Sequence, residues 1–228
     1  MRASEERRYN DSVQDLINLN AEMYCDLGPG RGEIAIRLKN ANKNVIGLEA
    51  PWEFDQRTAW SKEKGIKIYQ GEFFNTDFKQ AIPEKVHCFS LIHCIAHFRF
   101  APQELFEQVY NKLEPGGYFY LSTVNGGALD RVIKLFKGGA ITEEVKKNAK
   151  MDDLYYKFYN PTGKHMIWDS WMHVKEYRAH ELKKMFEDEK FKVVELKHRN
   201  NFSEWKNNLA CKIWPHLSEE IIIIGQKV

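Results

Sequence analysis

The sequence predicts an α/β protein with a mostly parallel sheet, and three observations support that class. An apolar run at residues 23–27 meets three glycines within residues 28–32, and a helical pattern follows at once. Strand-like and helix-like segments then alternate with short turns, which is typical of a parallel sheet with helices on both faces. The chain has 228 residues, of which 43% are hydrophobic, so it can bury the core of one large domain.

The spacing of apolar residues and the turn residues between them define each element. A helix is expected over residues 4–18, where Val13, Leu16 and Ile17 form an apolar stripe. The expected strands are residues 22–27, 44–49, 66–70, 86–93, 118–124, 191–196 and 221–224. The expected helices between them are residues 31–40, 52–63 and 102–113, with another beginning near residue 175. Together they predict one domain over residues 1–228.

The alternation stops after residue 124, and residues 126–173 show no strand pattern. Gly126 and Gly127 open this segment, and a short helix is expected near residues 132–136. A long aromatic-rich insertion at the ligand end of a sheet is typical of a lid or a substrate wall. We therefore predict a helical lid or substrate-binding insertion after strand five. Its candidate substrate contacts are Tyr156, His165, Trp168 and Trp171.

Composition limits the possible partners. The 34 basic and 32 acidic residues give a formal charge of +2, whereas nucleic-acid binding usually requires a basic patch, so no nucleic acid is expected. The four cysteines form no CxxC pair, which favours reduced thiols in a cytoplasmic protein. No apolar stretch approaches the ~18 residues of a membrane span, and the charged N-terminus does not resemble a signal peptide. A small-molecule substrate and a monomer or homodimer are expected.

The glycine turn predicts a nucleotide-like ligand, because glycine lets backbone approach a ligand closely and a helix N-terminus offers free N–H groups. A dinucleotide site needs a third small residue after the turn, and Glu33 stands there instead. Glu49, at the end of the second predicted strand, suits a ribose diol. An adenosyl group without phosphates thus fits better than NAD. A nicotinamide-dependent oxidoreductase and a non-catalytic nucleotide-binding module remain alternatives.

Several segments resemble class I S-adenosylmethionine-dependent methyltransferases of the small-molecule type. Residues 25–32 (CDLGPGRG) resemble the first motif of that family, and Glu49 falls on its ribose-binding acid. Residues 113–118 resemble the turn before the fifth strand, and residues 86–98 resemble the segment that often ends in Leu-Glu-His. The sequence departs from the family at Ala96, where many relatives have Glu, and at His87, where relatives often have Asp. The resemblance implies a Rossmann-like sheet of seven strands with an antiparallel last strand.

The resemblance also implies S-adenosylmethionine as cofactor, S-adenosylhomocysteine as product, and a set of site residues. Glu72 matches the position that often holds the adenine amino group, and His97 matches a histidine near the transferred methyl group. We expect His97 and His173 to be catalytic, with His97 as general base. The expected cofactor contacts are Asp26, Gly28, Pro29, Gly30, Gly32, Glu49, Ala50, Glu72, Phe73 and His93.

Two further alternatives concern metal and substrate. A zinc or iron site could combine His93 and Cys94 with His165 or His173, but neither a CxxC pair nor an HxxxH pair on a clear helix is present, so no metal is expected. Transfer to a hydroxyl oxygen of a sugar or biosynthetic intermediate is the first expectation. Transfer to nitrogen or carbon is the second.

Overall fold

The computed structural model describes residues 3–51, 54, 58–139, 173–200 and 205–228. Its strands are β1 (Met23–Leu27), β2 (Asn44–Glu49), β3 (Lys67–Gln70), β4 (Val86–Ile92), β5 (Leu113–Val124), β6 (Phe191–Arg199) and β7 (Glu220–Lys227). Its helices are α1 (Ala3–Asn18), α2 (Ala35–Asn40), α3 (Ala59–Lys64), α4 (Phe78–Ala81), α5 (Gln103–Lys112), α6 (Leu129–Phe136), α7 (Ala179–Asp188) and α8 (Trp205–Ile213). Short 3₁₀ turns cover Ile95–His97 and Pro215–Leu217.

The strands form one seven-stranded sheet in the order β3-β2-β1-β4-β5-β7-β6. Strands β1 to β5 pair in parallel, and β7 runs antiparallel to both of its neighbours, β5 and β6. The predicted Rossmann-like α/β class, with seven strands and an antiparallel last strand, is confirmed. Because β1 to β5 are parallel, the residues that follow them meet at one edge of the sheet, which we call the carboxyl edge.

Each face of the sheet carries its own apolar core. On one face, Leu105 and Phe106 of α5 and Leu182 and Phe186 of α7 are fully buried against the strands. Gly225 of β7 makes room for the Phe186 ring, because a Cβ at that position would lie 2.4 Å from the ring. On the other face, α1 and α2 pack their buried side chains, including Leu16, against the sheet. The two cores hold the strands, and therefore the carboxyl edge, in a fixed arrangement.

Several boundaries differ from the sequence prediction for local reasons. The helix after the glycine turn begins at Ala35 rather than at residue 31, because residues 30–34 form turns in which Gly32 N–H donates to Pro29 O at 2.7 Å. Strand β5 begins at Leu113, since the predicted turn at residues 113–118 is an irregularity within the strand, with Gly116 at φ +78°. Helix α7 begins at Ala179 rather than near residue 175, and α4 and α8 were not predicted.

The predicted insertion is described only at its two ends. Helix α6 (Leu129–Phe136) lies where a short helix is expected. At the other end, Tyr177 forms a parallel bridge with Asn125, directly after β5. Residues 140–172 lie outside the described residues, so the lid remains a prediction. Within the described residues, no helix is long and apolar enough to cross a membrane.

A buried carboxyl group joins the two central strands. Asp26 of β1 lies in register with Ser90 of β4, and Ser90 Oγ donates to Asp26 Oδ1 at 2.7 Å. The residue is only 3% exposed. Burial raises the pKa of Asp26 to about 7, although hydrogen bonds from Ser90 and from the backbone of Ala35 favour the charged form. Asp26 therefore holds a proton in the folded protein at pH values where an exposed aspartate does not.

We expect Asp26 to make the free energy of unfolding fall as pH rises from about 4 to 7. Over that range the unfolded chain has already released the proton, since the ordinary pKa is 3.8, while the folded chain still binds it. The Asp26→Asn variant should lack this decline. Urea unfolding at pH 4.5 and at pH 8 should show that the free energy of unfolding of wild type falls by about 3 kcal/mol relative to that of the variant over this interval.

The exposed Asp188, at the end of α7, provides the control, because Asp188→Asn should leave the slope unchanged. Parallel stability curves for wild type and Asp26→Asn would contradict the assigned role of Asp26.

Candidate functional site

The carboxyl edge brings together every predicted cofactor residue. Asp26 lies near the end of β1, Glu49 ends β2, and His93 directly follows β4. The other predicted cofactor residues are the turn residues Gly28, Pro29, Gly30 and Gly32 after β1, Ala50 after β2, and Glu72 and Phe73 just beyond β3. This placement follows from parallel pairing, because it aligns the ends of β1, β2, β3 and β4.

The glycine turn has a backbone conformation that other residues rarely adopt. Gly28, Gly30 and Gly32 have φ values of +67°, +52° and +80°. A Cβ at Gly28 would lie 3.1 Å from Cys94 Sγ and 3.6 Å from the Phe73 ring. Cys94 and Phe73 therefore pack closely against the turn at Gly28. Phe73 is 8% exposed and belongs to the apolar core as well as to this edge.

The Glu49 carboxylate is held beside the turn by backbone donors. Gly30 N–H donates to Glu49 Oε2 at 3.0 Å, and Ala50 N–H donates to Glu49 Oε1 at 3.0 Å. Glu49 is 4% exposed, so these bonds offset part of the cost of burying the carboxylate. The acid expected to bind the ribose is thus fixed in position relative to the turn.

Trp60 is a residue of this edge that the sequence analysis missed. Its indole Nε1–H donates to Gly30 O at 2.9 Å. Its ring also packs against Gly32, where an added Cβ would lie only 2.9 Å from the ring atoms. Trp60 therefore attaches helix α3 to the glycine turn. The signal available in the sequence was a tryptophan in a charged helix, which by itself does not point to the glycine turn.

His93 has a partner that its sequence position did not indicate. Its φ is +54°, and its Nε2 lies 2.9 Å from Oε1 of the buried Glu220, at the start of β7. Burial lowers the pKa of His93, which outweighs the opposing effect of Glu220. His93 thus joins β4 to β7, and its contact with the cofactor stays a prediction. Glu72 is half-buried, and its contact with adenine also stays a prediction.

The two predicted catalytic histidines lie next to each other, although they are far apart in sequence. The ring centroids of His97 and His173 are 5.0 Å apart, at an interplanar angle of 60°. His97 lies in the 3₁₀ turn after β4, and Ala96 O in the same turn accepts from Val174 N–H at 2.7 Å. Backbone contacts therefore dock residues 173–175 onto the turn that carries His97.

Two charged residues near this histidine pair were also missed. Glu176 Oε1 lies 2.8 Å from His173 Nδ1, and Arg131 of α6 donates to both Glu176 oxygens. Burial by itself would raise the pKa of Glu176, but the hydrogen bonds from His173 and Arg131 outweigh it and lower the pKa to about 2. Glu176 is therefore ionised at all physiological pH values. No local sequence pattern links Arg131 to a residue 45 positions away.

The predicted substrate contacts Tyr156, His165, Trp168 and Trp171 lie outside the described residues. Among the residues that the structure does describe, no group of three or more His, Cys, Asp or Glu side chains is arranged to hold a metal ion. His93, one member of the alternative metal site, instead pairs with Glu220.

Comparison with known families assigns the chain. The family described as "Methyltransferase domain" matches residues 1–196. A search of curated proteins found no match. This family assignment decides against the nicotinamide-dependent oxidoreductase that the glycine turn by itself left open.

Solved structures share the fold at low sequence identity. A SAM-dependent methyltransferase from Archaeoglobus fulgidus aligns with a TM-score of 0.61 at 15% identity, over 97% of this chain and 94% of that one. Magnesium protoporphyrin IX methyltransferase from Synechocystis PCC 6803, with bound S-adenosylhomocysteine, aligns with a TM-score of 0.60 at 12% identity, over 100% of this chain and 85% of that one. A possible histamine N-methyltransferase from Thermotoga maritima aligns with a TM-score of 0.56 at 17% identity, over 98% of this chain and 91% of that one.

The residues at the carboxyl edge fit the cofactor that the family implies. The positive φ values of the turn glycines give a backbone cradle, and the fixed Glu49 carboxylate lies where it can accept from a ribose diol. Glu33 stands where a dinucleotide site needs a third small residue, and an adenosyl sulfonium has no pyrophosphate to accommodate there. The chain belongs to the methyltransferase domain family, and it is an enzyme that uses S-adenosylmethionine.

Proposed function

We propose that this methyltransferase transfers the methyl group to a hydroxyl oxygen of a small molecule. The observation that carries the proposal is the His97–His173 pair at the carboxyl edge, with ring centroids 5.0 Å apart. A hydroxyl is a weak nucleophile at neutral pH and needs a base to accept its proton. An amine or an ionised acid needs less assistance, so a pair of imidazoles favours the hydroxyl over a nitrogen acceptor.

The proposed cofactor site combines backbone and acid. S-adenosylmethionine supplies an electrophilic methyl group and leaves as a neutral thioether, so little acid catalysis is needed. Gly28, Gly30 and Gly32 form the cradle, while Glu49 accepts from the ribose hydroxyls and Glu72 holds the adenine amino group. Asp26, Pro29, Ala50, Phe73 and His93 complete the wall.

The protein contributes mainly by alignment. Holding two reactants in line can supply about 7–11 kcal/mol of the barrier. The glycine cradle binds S-adenosylmethionine, and the part of the carboxyl edge that carries His97 and His173 binds the acceptor. The residues proposed to complete the substrate wall are Tyr156, His165, Trp168 and Trp171, within the lid segment of residues 126–173.

The proposal extends to partners and compartment. The near-neutral charge of +2 supports a small-molecule substrate rather than nucleic acid. All four cysteines are free, and Cys25, Cys88 and Cys211 are buried, which supports a reducing compartment such as the cytoplasm. A monomer or homodimer is sufficient, because the proposed site uses one chain.

Glu49→Ala should weaken S-adenosylmethionine binding by about tenfold or more, because charge-assisted hydrogen bonds contribute ~1.5–3 kcal/mol each. Titration calorimetry on the folded variant measures the effect. Glu63→Ala, which removes an exposed acid of α3, provides the control and should bind like wild type. Equal affinity for both variants would remove Glu49 from the cofactor site.

Replacing both histidines by alanine should lower turnover by about 10²–10⁴-fold with little change in cofactor affinity, because general-base assistance has that magnitude. The measurement is a methyl-transfer assay over a panel of hydroxyl, amine and carboxylate compounds. The loss should shrink at high pH, where a hydroxyl ionises without help. The sequence-based expectation is that His97→Ala alone shows the full loss. Measuring His97→Ala and His173→Ala separately shows how much of the loss each histidine accounts for.

Failure to methylate any hydroxyl compound, with turnover on an amine, would overturn the proposed acceptor. A double variant that retains more than half of the wild-type turnover would exclude both histidines as the base.

A further inference from the structure

Glu176 lies between a histidine and an arginine, and both of these donate to its carboxylate. Oε1 lies 2.8 Å from His173 Nδ1 and 3.0 Å from Arg131 Nη2, and Oε2 lies 2.9 Å from Arg131 Nε. The Glu176 side chain is 8% exposed. Arg131 presents two N–H groups to the two carboxylate oxygens, which is the geometry that fixes the orientation of a carboxylate best. Glu176 therefore cannot rotate away from His173 without breaking these bonds.

The backbone around Glu176 is equally constrained. Val174 N–H and Lys175 N–H both donate to Ala96 O, at 2.7 and 3.2 Å, and Gly126 N–H donates to Tyr177 O at 2.8 Å. Gly126 permits this approach, because a Cβ there would lie 2.7 Å from Glu176 O. The segment of residues 173–177 is thus wedged between the 3₁₀ turn after β4 and the end of β5. These backbone bonds position the His173–Glu176 pair.

This arrangement determines which nitrogen of His173 carries the proton. An ionised carboxylate can only accept hydrogen bonds, so Nδ1 must be the donor, and in the neutral imidazole Nε2 is then the nitrogen with the lone pair. Among the described residues, the titratable groups with a stated interaction with His173 are Glu176 on its own segment, His97 on the 3₁₀ turn and His93 after β4, while Arg131 of α6 reaches Glu176 from its other side. Of these, Glu176 is the one that bonds Nδ1.

We infer that Glu176 is a positioning residue of the methyl-transfer site, and that it holds His173 with Nε2 ready to accept the proton of the attacking hydroxyl. This inference rests on the proposed function, and it selects His173 rather than His97 as the base. The hydroxyl O–H bond breaks and its proton goes to Nε2. An oxygen lone pair forms the new bond to the methyl carbon, and the electron pair of the breaking carbon–sulfur bond stays on sulfur. The Glu176 carboxylate then stabilises the imidazolium that is formed.

The first test reads the tautomer directly and does not depend on activity. Two-bond ¹H–¹⁵N correlation spectra of the histidine-labelled chain report which ring nitrogen is protonated, and His173→Gln assigns His173 among the eight histidines. Wild type should show His173 protonated at Nδ1. Glu176→Gln should shift it toward a mixture of tautomers, because the amide can donate as well as accept. An Nε2-protonated His173 in wild type, or an unchanged spectrum in the variant, would overturn the inference.

Two variants separate the positioning role from a general loss of stability. Glu187→Gln makes the same charge change in α7, where the exposed Glu187 pairs with Lys183, and it should leave both the His173 spectrum and turnover unchanged. Glu176→Asp keeps the charge facing Arg131 but shortens the side chain, so it keeps the test available if Glu176→Gln does not fold. It should shift the tautomer in the same direction.

The second test is kinetic. Glu176→Gln should lower kcat for a hydroxyl acceptor by about tenfold or more, with the KM for S-adenosylmethionine unchanged. His173→Ala should show the full loss of the double histidine variant. If the spectra agree but no hydroxyl compound is methylated, the proposed function fails while the orientation of His173 by Glu176 stands. If hydroxyl transfer occurs and Glu176→Gln turns over like wild type, the inference fails and the proposed function stands.

Discussion

Parallel pairing of β1 with β2 and β4 is the constraint on which the rest of the structure depends. It places Asp26 in register with Ser90, and it brings Glu49 beside the glycine turn. A slip of one residue in either pairing would turn every side chain to the opposite face of the sheet. Gly30 N–H would then no longer meet the Glu49 carboxylate. The proposed cofactor site is therefore a consequence of strand register rather than a separate feature added to the fold.

A second set of charges attaches the N-terminal helix to the far strands. Arg199 of β6 bonds Asp15 of α1 and Glu220 of β7, and Glu220 also bonds His93 after β4. Tyr120 OH donates to Asp15 at 3.1 Å. Buried ion pairs contribute little net stability when complete, but removing one partner is strongly destabilising. This network therefore acts mainly to fix where α1 lies relative to the sheet and to the carboxyl edge.

The sequence predicted the features that local patterns determine. The glycine turn, the strand-end acid Glu49 and the alternation of strands and helices depend on neighbouring residues, and the predicted fold agrees with the structure. It missed Trp60 and Arg131 because each acts through a contact distant in sequence, and it missed Glu176 because its spacing of three residues from His173 does not reveal the bonds from Arg131. Helix α8 was missed because its apolar residues do not form a clear stripe. His93 was expected at the cofactor, and spacing could not reveal its bond to Glu220.

The two halves of the candidate site differ in how they are built. The cofactor half is mostly backbone, so its shape follows from three glycines and the strand ends and tolerates variation elsewhere. The proposed acceptor half is made of side chains held by ion pairs, in which Glu176 supplies an acid to His173. A carboxylate bound by arginine on one side can orient an imidazole on the other without moving during the reaction. Under the proposed function, the orientation of the base is therefore set by Arg131 and Glu176, in the segments that follow β5.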